Sequence, residues 1–139
     1  MIHRVFVYGT LKRGFPNAAP LNDQTYLGHH RTTIAFPLVV AGRWFSPVLV
    51  DEPGTGHPVE GELYEVDDTT LATLDRIEGV GSSWGYDRVT IEIEPLGEGT
   101  PTTAEAYLKR RERLDLVHDG PLARYEPDER YVPPDRRGG

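Results

Sequence analysis

Glycine and proline cut this chain into pieces too short for a mainly helical fold. Its 139 residues include 15 Gly and 12 Pro, and between them stand short runs of β-branched and aromatic residues. Val5-Phe6-Val7-Tyr8 ends at Gly9, the pattern of a buried strand that stops at a loop. Further strands are expected over residues 32–36, 38–40, 48–51, 59–66 and 104–108. Turn clusters such as Ala41-Gly42 and Pro53-Gly54-Thr55-Gly56 lie between them. Over residues 87–94 the alternation is regular. Val89, Ile91 and Ile93 face one way, while Thr90, Glu92 and Glu94 face the other, as in a strand with one wet side. So many short strands and corners predict a predominantly β domain, closed into a barrel or a strongly curled sheet. The length suits one domain, expected over residues 1–127. Residues 128–139, rich in Pro, Arg, Asp and Gly, read as a loose tail.

One helix stands out, over residues 69–78, with a shorter helical turn around residues 18–22. Asp67 or Asp68 is placed to cap its start, and Gly79 stands where a left-handed C-cap residue belongs. At 100° per residue Leu71, Leu74 and Ile77 form an apolar stripe. Glu78 projects between Leu71 and Leu74, Arg76 points to the far side, and Asp75, at the stripe's edge, reads as a surface residue. A carboxylate on the core-facing stripe, in the last turn where the helix dipole is negative, has its pKa pushed upward by both effects. That is the range a general acid or base needs at neutral pH. The alternative is that the last turn leaves the core and Glu78 simply reaches water.

Several kinds of chemistry are excluded by residue type. There is no cysteine, which removes disulfides, thiolate metal sites and cysteine nucleophiles. His29 and His30 are adjacent and His3, His57 and His118 stand alone, so no metal constellation is read and no metal or cofactor is expected. A net charge of −7 disfavours a phosphate backbone as partner, and the basic run Lys109-Arg110-Arg111-Glu112-Arg113 reads as a solvated face. Residues 2–8 are broken by His3 and Arg4, so no secretory leader is read. No apolar stretch is long enough to span a membrane. A cytoplasmic, monomeric protein is expected. Gly9 and Gly14 lack the Lys and Ser or Thr that a phosphate loop requires, since Phe15-Pro16 follows. Gly81-Ser82-Ser83-Trp84-Gly85 matches G-x-S-x-G, but here a helix precedes and a strand follows, the reverse of a nucleophile elbow.

Val5-Phe6-Val7-Tyr8-Gly9-Thr10-Leu11-Lys12-Arg13-Gly14 resembles the opening signature of the γ-glutamylcyclotransferase-like family. Leu74-Asp75-Arg76-Ile77-Glu78-Gly79, followed by Tyr86-Asp87-Arg88-Val89, resembles its second signature. The middle is similar too, in Phe36-Pro37-Leu38-Val39-Val40-Ala41-Gly42 and in Val59-Glu60-Gly61-Glu62-Leu63-Tyr64-Glu65-Val66-Asp67. The arrangement is most similar to the γ-glutamylamine cyclotransferase branch. The resemblance implies a mixed α/β (α+β) fold with a small β-barrel core and few flanking helices.

It also implies a reaction in which the α-amine of a γ-glutamyl group attacks its own γ-carbonyl, releasing 5-oxoproline and a free amine. By the same resemblance Glu78 is the general acid/base, and Tyr8, Gly9, Thr10 and Leu11 bind the glutamyl part of a small-molecule substrate. Lys12 and Arg13 receive no role, and Tyr86, Tyr107, Trp44 and Trp84 are candidates for lining the pocket. The substrate supplies its own nucleophile, so the absence of cysteine does no harm. Other readings of the same residues are a non-catalytic γ-glutamyl or 5-oxoproline binding module, an enzyme that deprotects a biosynthetic intermediate, and a glutamyl hydrolase.

Overall fold

The computed structural model describes residues 1–137. Eight strands, one α-helix and three short 3-10 turns follow one another along the chain. The strands are β1 (Ile2–Val7), β2 (Thr25–Phe36), β3 (Leu38–Ala41), β4 (Ser46–Val50), β5 (His57–Asp67), β6 (Asp87–Pro95), β7 (Thr102–Lys109) and β8 (Val117–Leu122), with α1 (Asp68–Ile77) between β5 and β6. The hydrogen-bonded order is β1-β5-β2-β6-β7-β4-β3-β8, and a parallel pairing of β1 with β7 closes the first five into a barrel. From the barrel β4 runs on, parallel to β7, carrying β3 and β8 as an extension of the same sheet. The expected barrel with few helices is the fold observed.

The burial of β1 shows why it sits where it does. Phe6 packs inside the barrel with Val59, Leu63, Ile91, Ile93 and Leu108. Its neighbours Val5 and Val7, on the opposite face of the strand, meet Leu71 and Leu74 of α1. A strand covered on both faces loses the polar alternation of a surface strand and reads as a continuous apolar run. In β6, by contrast, Ile91 and Ile93 are buried while Thr90 and Glu92 are exposed, the one-sided pattern expected from sequence.

Helix α1 is capped at both ends by the residues expected. The Asp67 side chain accepts from the Thr70 N–H at 2.7 Å. At the other end the Gly79 N–H donates to the Arg76 carbonyl and the Val80 N–H to the Asp75 carbonyl, a paired C-terminal cap. Gly79 takes φ +67° to make that turn, a conformation costly to side chains with a Cβ. The helix therefore ends at Glu78.

Most strand boundaries shift by one to three residues from the sequence reading, and two strands differ more. β2 begins at Thr25, well before residue 32, because Gly28, His29 and His30 give its first half no β-branched pattern. β8 was not foreseen: its residues are mostly exposed, it contains Gly120 and Pro121, and it pairs only with β3 at the sheet's edge. The segment read as a loose tail is fastened where it is described. The Val132 N–H donates to the Trp44 carbonyl at 3.1 Å, and Asn17 Nδ2 donates to the Tyr131 hydroxyl at 2.7 Å. Individual polar contacts hold it, which leave no periodic signature; residues 138–139 lie outside the described residues. Among the described residues no helix is long and apolar enough to cross a membrane.

Candidate functional site

At one mouth of the barrel, the loop after β1 and the end of α1 meet across a cavity of about 270 Å³. Val7 closes β1, and Tyr8, Gly9, Thr10 and Leu11 form one wall. Ile77 and Glu78 form another, with Trp44, Pro47, Trp84, Tyr86, Tyr107 and Lys109 around them. All five residues assigned to a site from the sequence thus line one cavity, as do the four aromatic candidates. The volume is close to the lower end of small-molecule sites.

Glu78 is partly exposed, and it lines the cavity. Protein packs around the carboxyl group, and this desolvation raises its pKa to about 7, against the opposing pull of the Lys109 and Arg137 charges. Among the described residues none donates a hydrogen bond to the carboxylate, which leaves it free to exchange a proton with a bound molecule. Its backbone is held firmly instead. The Glu78 N–H donates to the Leu74 carbonyl, and the Glu78 carbonyl accepts from Tyr86 N–H, both at 2.9 Å.

The loop opposite is equally fixed. Its turn bonds run from the Lys12 N–H to the Gly9 carbonyl and from the Asn17 N–H to the Thr10 carbonyl. Asn17 Nδ2 adds a bond to Thr10 Oγ1 at 2.9 Å. Within that network the N–H groups of Gly9, Thr10 and Leu11 donate to no acceptor among the described residues. Tyr8 is committed inside the fold: its hydroxyl donates to the Tyr107 carbonyl at 2.6 Å and accepts from the Leu49 N–H at 3.2 Å. Burial, with the nearby Glu78 charge, pushes the Tyr8 pKa up, so it remains a neutral phenol bridging β7 and β4.

Other residues in or beside the cavity depart from the sequence reading or were missed by it. Asp75 is no simple surface residue: its carboxylate accepts from the Tyr107 hydroxyl and from Arg88 Nη1, both at 2.8 Å. Lys109, taken with a solvated basic run, is the last residue of β7. Its ammonium sits 4.6 Å from the centre of the Tyr86 ring, and desolvation lowers its pKa. The Tyr86 hydroxyl donates to the Pro47 carbonyl at 2.9 Å. Tyr131, Pro134 and Arg137 reach the cavity from the C-terminal segment. Nothing local in their sequence marks them. Ser83, in the inverted serine pattern, lies exposed in the loop between α1 and β6 and is not among the lining residues.

The family profile described as "Gamma-glutamyl cyclotransferase, AIG2-like" matches residues 5–128. The chain is 45% identical over 105 residues to the rat protein named gamma-glutamylaminecyclotransferase, covering 70% of this chain and 69% of that one. It is 40% identical over 106 residues to the human protein of the same name, covering 73% and 68%. The alignments thus span about two thirds of these relatives' own lengths, and 63% of that of a relative from Drosophila melanogaster. Its fold superposes on the crystal structure of an AIG2-like protein from mouse with a TM-score of 0.74 and 35% identity, over 92% of this chain and 97% of that one. A solved structure titled gamma-glutamyl cyclotransferase, at 18% identity and a TM-score of 0.66, shares the fold. The chain belongs to the γ-glutamyl cyclotransferase, AIG2-like, family.

Proposed function

We propose that the protein is a γ-glutamylamine cyclotransferase in which Glu78 moves the proton and the loop of residues 8–11 holds the glutamyl group. The observation that carries this reading is a carboxyl group whose pKa is raised to about 7, facing a cavity whose opposite wall contains unpaired backbone donors. Family membership and the names of the rat and human relatives support the reaction class.

The chemistry follows from those groups. The substrate's α-amine, with a pKa near 8, is mostly protonated at neutral pH and must lose a proton to become nucleophilic. The Glu78 carboxylate takes that proton. The amine nitrogen then bonds to the γ-carbonyl carbon of the same residue, and the electron pair of the carbonyl moves to oxygen. N–H groups of Gly9, Thr10 and Leu11 hold the α-carboxylate or that oxyanion. Collapse of the tetrahedral intermediate breaks the bond to the leaving nitrogen, which receives the proton from Glu78. The ring nitrogen gives up its second proton, which ends on the released amine as its ammonium form. The products are 5-oxoproline and an amine, and Glu78 ends as it began. A pKa near 7 suits a group that must both take and give a proton at neutral pH. Fixing the flexible glutamyl chain in its ring-closing shape supplies a further share of the acceleration. No nucleophilic side chain is called for.

Mass spectrometry of the purified protein with ε-(γ-glutamyl)-lysine, beside the Glu78→Gln variant, tests the reading. We expect 5-oxoproline and lysine from the wild type and loss of most of that product in the variant. Free glutamate in place of 5-oxoproline would overturn it in favour of hydrolysis, and tight binding without turnover would make the protein a binding module.

A further inference from the structure

The part of the cavity that lies beyond the family profile carries a charge the proposed proton transfer does not use. The profile ends at residue 128, yet Tyr131, Pro134 and Arg137 line the cavity. Arg137 is held there by a bond from its Nε to the Val132 carbonyl at 3.0 Å, and its guanidinium lies 5.4 Å from the Trp44 ring centre and 5.9 Å from that of Tyr131. The segment it belongs to is pinned to Trp44 and Asn17 by the bonds already described. Lys109 lines the same cavity from the end of β7.

We propose that Lys109 and Arg137 form a carboxylate subsite for the leaving amine, so that the enzyme prefers γ-glutamylamines whose amine part carries a carboxylate. The inference rests on the cyclotransferase reading. The lining holds three cationic residues, Arg43, Lys109 and Arg137, against two acidic ones, Glu78 and Asp115. Asp115 is exposed and offsets one positive charge, while Glu78 is occupied with the proton. Burial leaves the Lys109 ammonium poorly solvated, a cost that the Asp115 and Glu78 charges offset only in part, so an incoming carboxylate would relieve what remains. The glutamyl α-carboxylate has its own donors in the loop of residues 9–11. What family members share is the profile region that contains that loop and Glu78, and Arg137 lies outside it. A guanidinium beside an aromatic wall suits a carboxylate on an aliphatic chain.

The matched probes are γ-glutamyl-6-aminohexanoate and γ-glutamyl-hexylamine, which differ only at the end of the leaving amine. Wild-type kcat/KM should favour the carboxylate probe by about tenfold or more, the size of one charge-assisted contact. In Lys109→Gln and in Arg137→Gln that ratio should fall towards one. Both cations also act on Glu78, but that effect is common to the two probes and cancels in the ratio. A wild-type ratio near one, or a ratio kept in both variants, overturns the proposal. So does an equal rise in KM for both probes, which would assign the cations to the glutamyl α-carboxylate. If the wild type turns over neither probe, ε-(γ-glutamyl)-lysine decides whether the cyclotransferase reading fails with them, and equilibrium Kd values for the intact probes decide the subsite. Tighter binding of the carboxylate probe, lost in the two variants, would support it; equal or absent binding would overturn it.

Discussion

Gly9 and Pro47 approach so closely that a Cβ on Gly9 would fall 2.7 Å from the proline Cγ. Pro47 is part of β4 and its carbonyl accepts from Tyr86, so it has no free direction in which to yield. Gly9→Ala is therefore expected to push the loop of residues 8–11 away from its place opposite Glu78. A displacement of about 1 Å at a positioning loop can cost about 10²-fold in rate. Steady-state kinetics on ε-(γ-glutamyl)-lysine should show a loss of that order, with the circular dichroism spectrum of the wild type retained.

The raised pKa of Glu78 makes a prediction about activity. As base in the free enzyme the carboxyl must be ionised, so kcat/KM should rise with pH through about 7 before other groups intervene. Glu78→Gln should lose about 10²- to 10⁴-fold and with it the acidic limb. A pH–rate profile over pH 5 to 9 checks both. If the acidic limb survived in the variant, it would belong to another group.

The same shift has a consequence for stability, with the opposite sense from a paired carboxylate. The native state holds the Glu78 proton more tightly than the unfolded chain, whose value is the ordinary 4.5. The stabilisation is complete below pH 4.5 and is lost as pH rises through about 7. Glu78→Gln removes the group that ionises. Its melting temperature should match the wild type near pH 4 and exceed it at pH 8, measured by scanning calorimetry without substrate.

Glu78 was legible in the sequence because local rules reach it. The helical phase of Leu71 and Leu74, both buried, puts it on the core side. Ile77, expected on the same stripe, is 38% exposed because the last turn leaves the core at the cavity, and Gly79 marks the end that turns Glu78 into it. The loop of residues 8–11 was legible because a strand must stop at Gly9. Arg137 was not, because its place depends on polar contacts with residues far away in the chain, at Trp44 and Asn17. Lys109 was obscured by its neighbours. It remains within the pleat of β7 beside Tyr86, whereas Arg111 leaves the strand to form a two-pronged pair with Glu52 at 2.6 and 2.8 Å. β8 escaped notice because an exposed edge strand needs no apolar alternation. What the strand pattern does convey is a β domain that must curl; the choice between a barrel and a curled sheet rests on the pairing of β1 with β7, which no local pattern marks.

Gly79 and Gly81 offer a comparison that separates backbone strain from crowding. Both take positive φ, +67° and +92°. A Cβ on Gly81 meets nothing within 4 Å, whereas one on Gly79 would lie 2.5 Å from the Trp84 ring. Gly81→Ala should therefore cost only the conformational penalty, about 1–2 kcal/mol. Gly79→Ala should cost that and more, because Trp84 must move off the cap of α1. Trp84 is 66% exposed and stands at the rim of the cavity, so its ring can swing outward rather than unfold the loop. Denaturant titration should rank Gly79→Ala below Gly81→Ala in stability. The displaced ring should also change the tryptophan emission of Gly79→Ala in the native state, while Gly81→Ala keeps the wild-type spectrum. Equal stabilities and equal spectra would mean that Trp84 does not rest on the cap of α1 in solution.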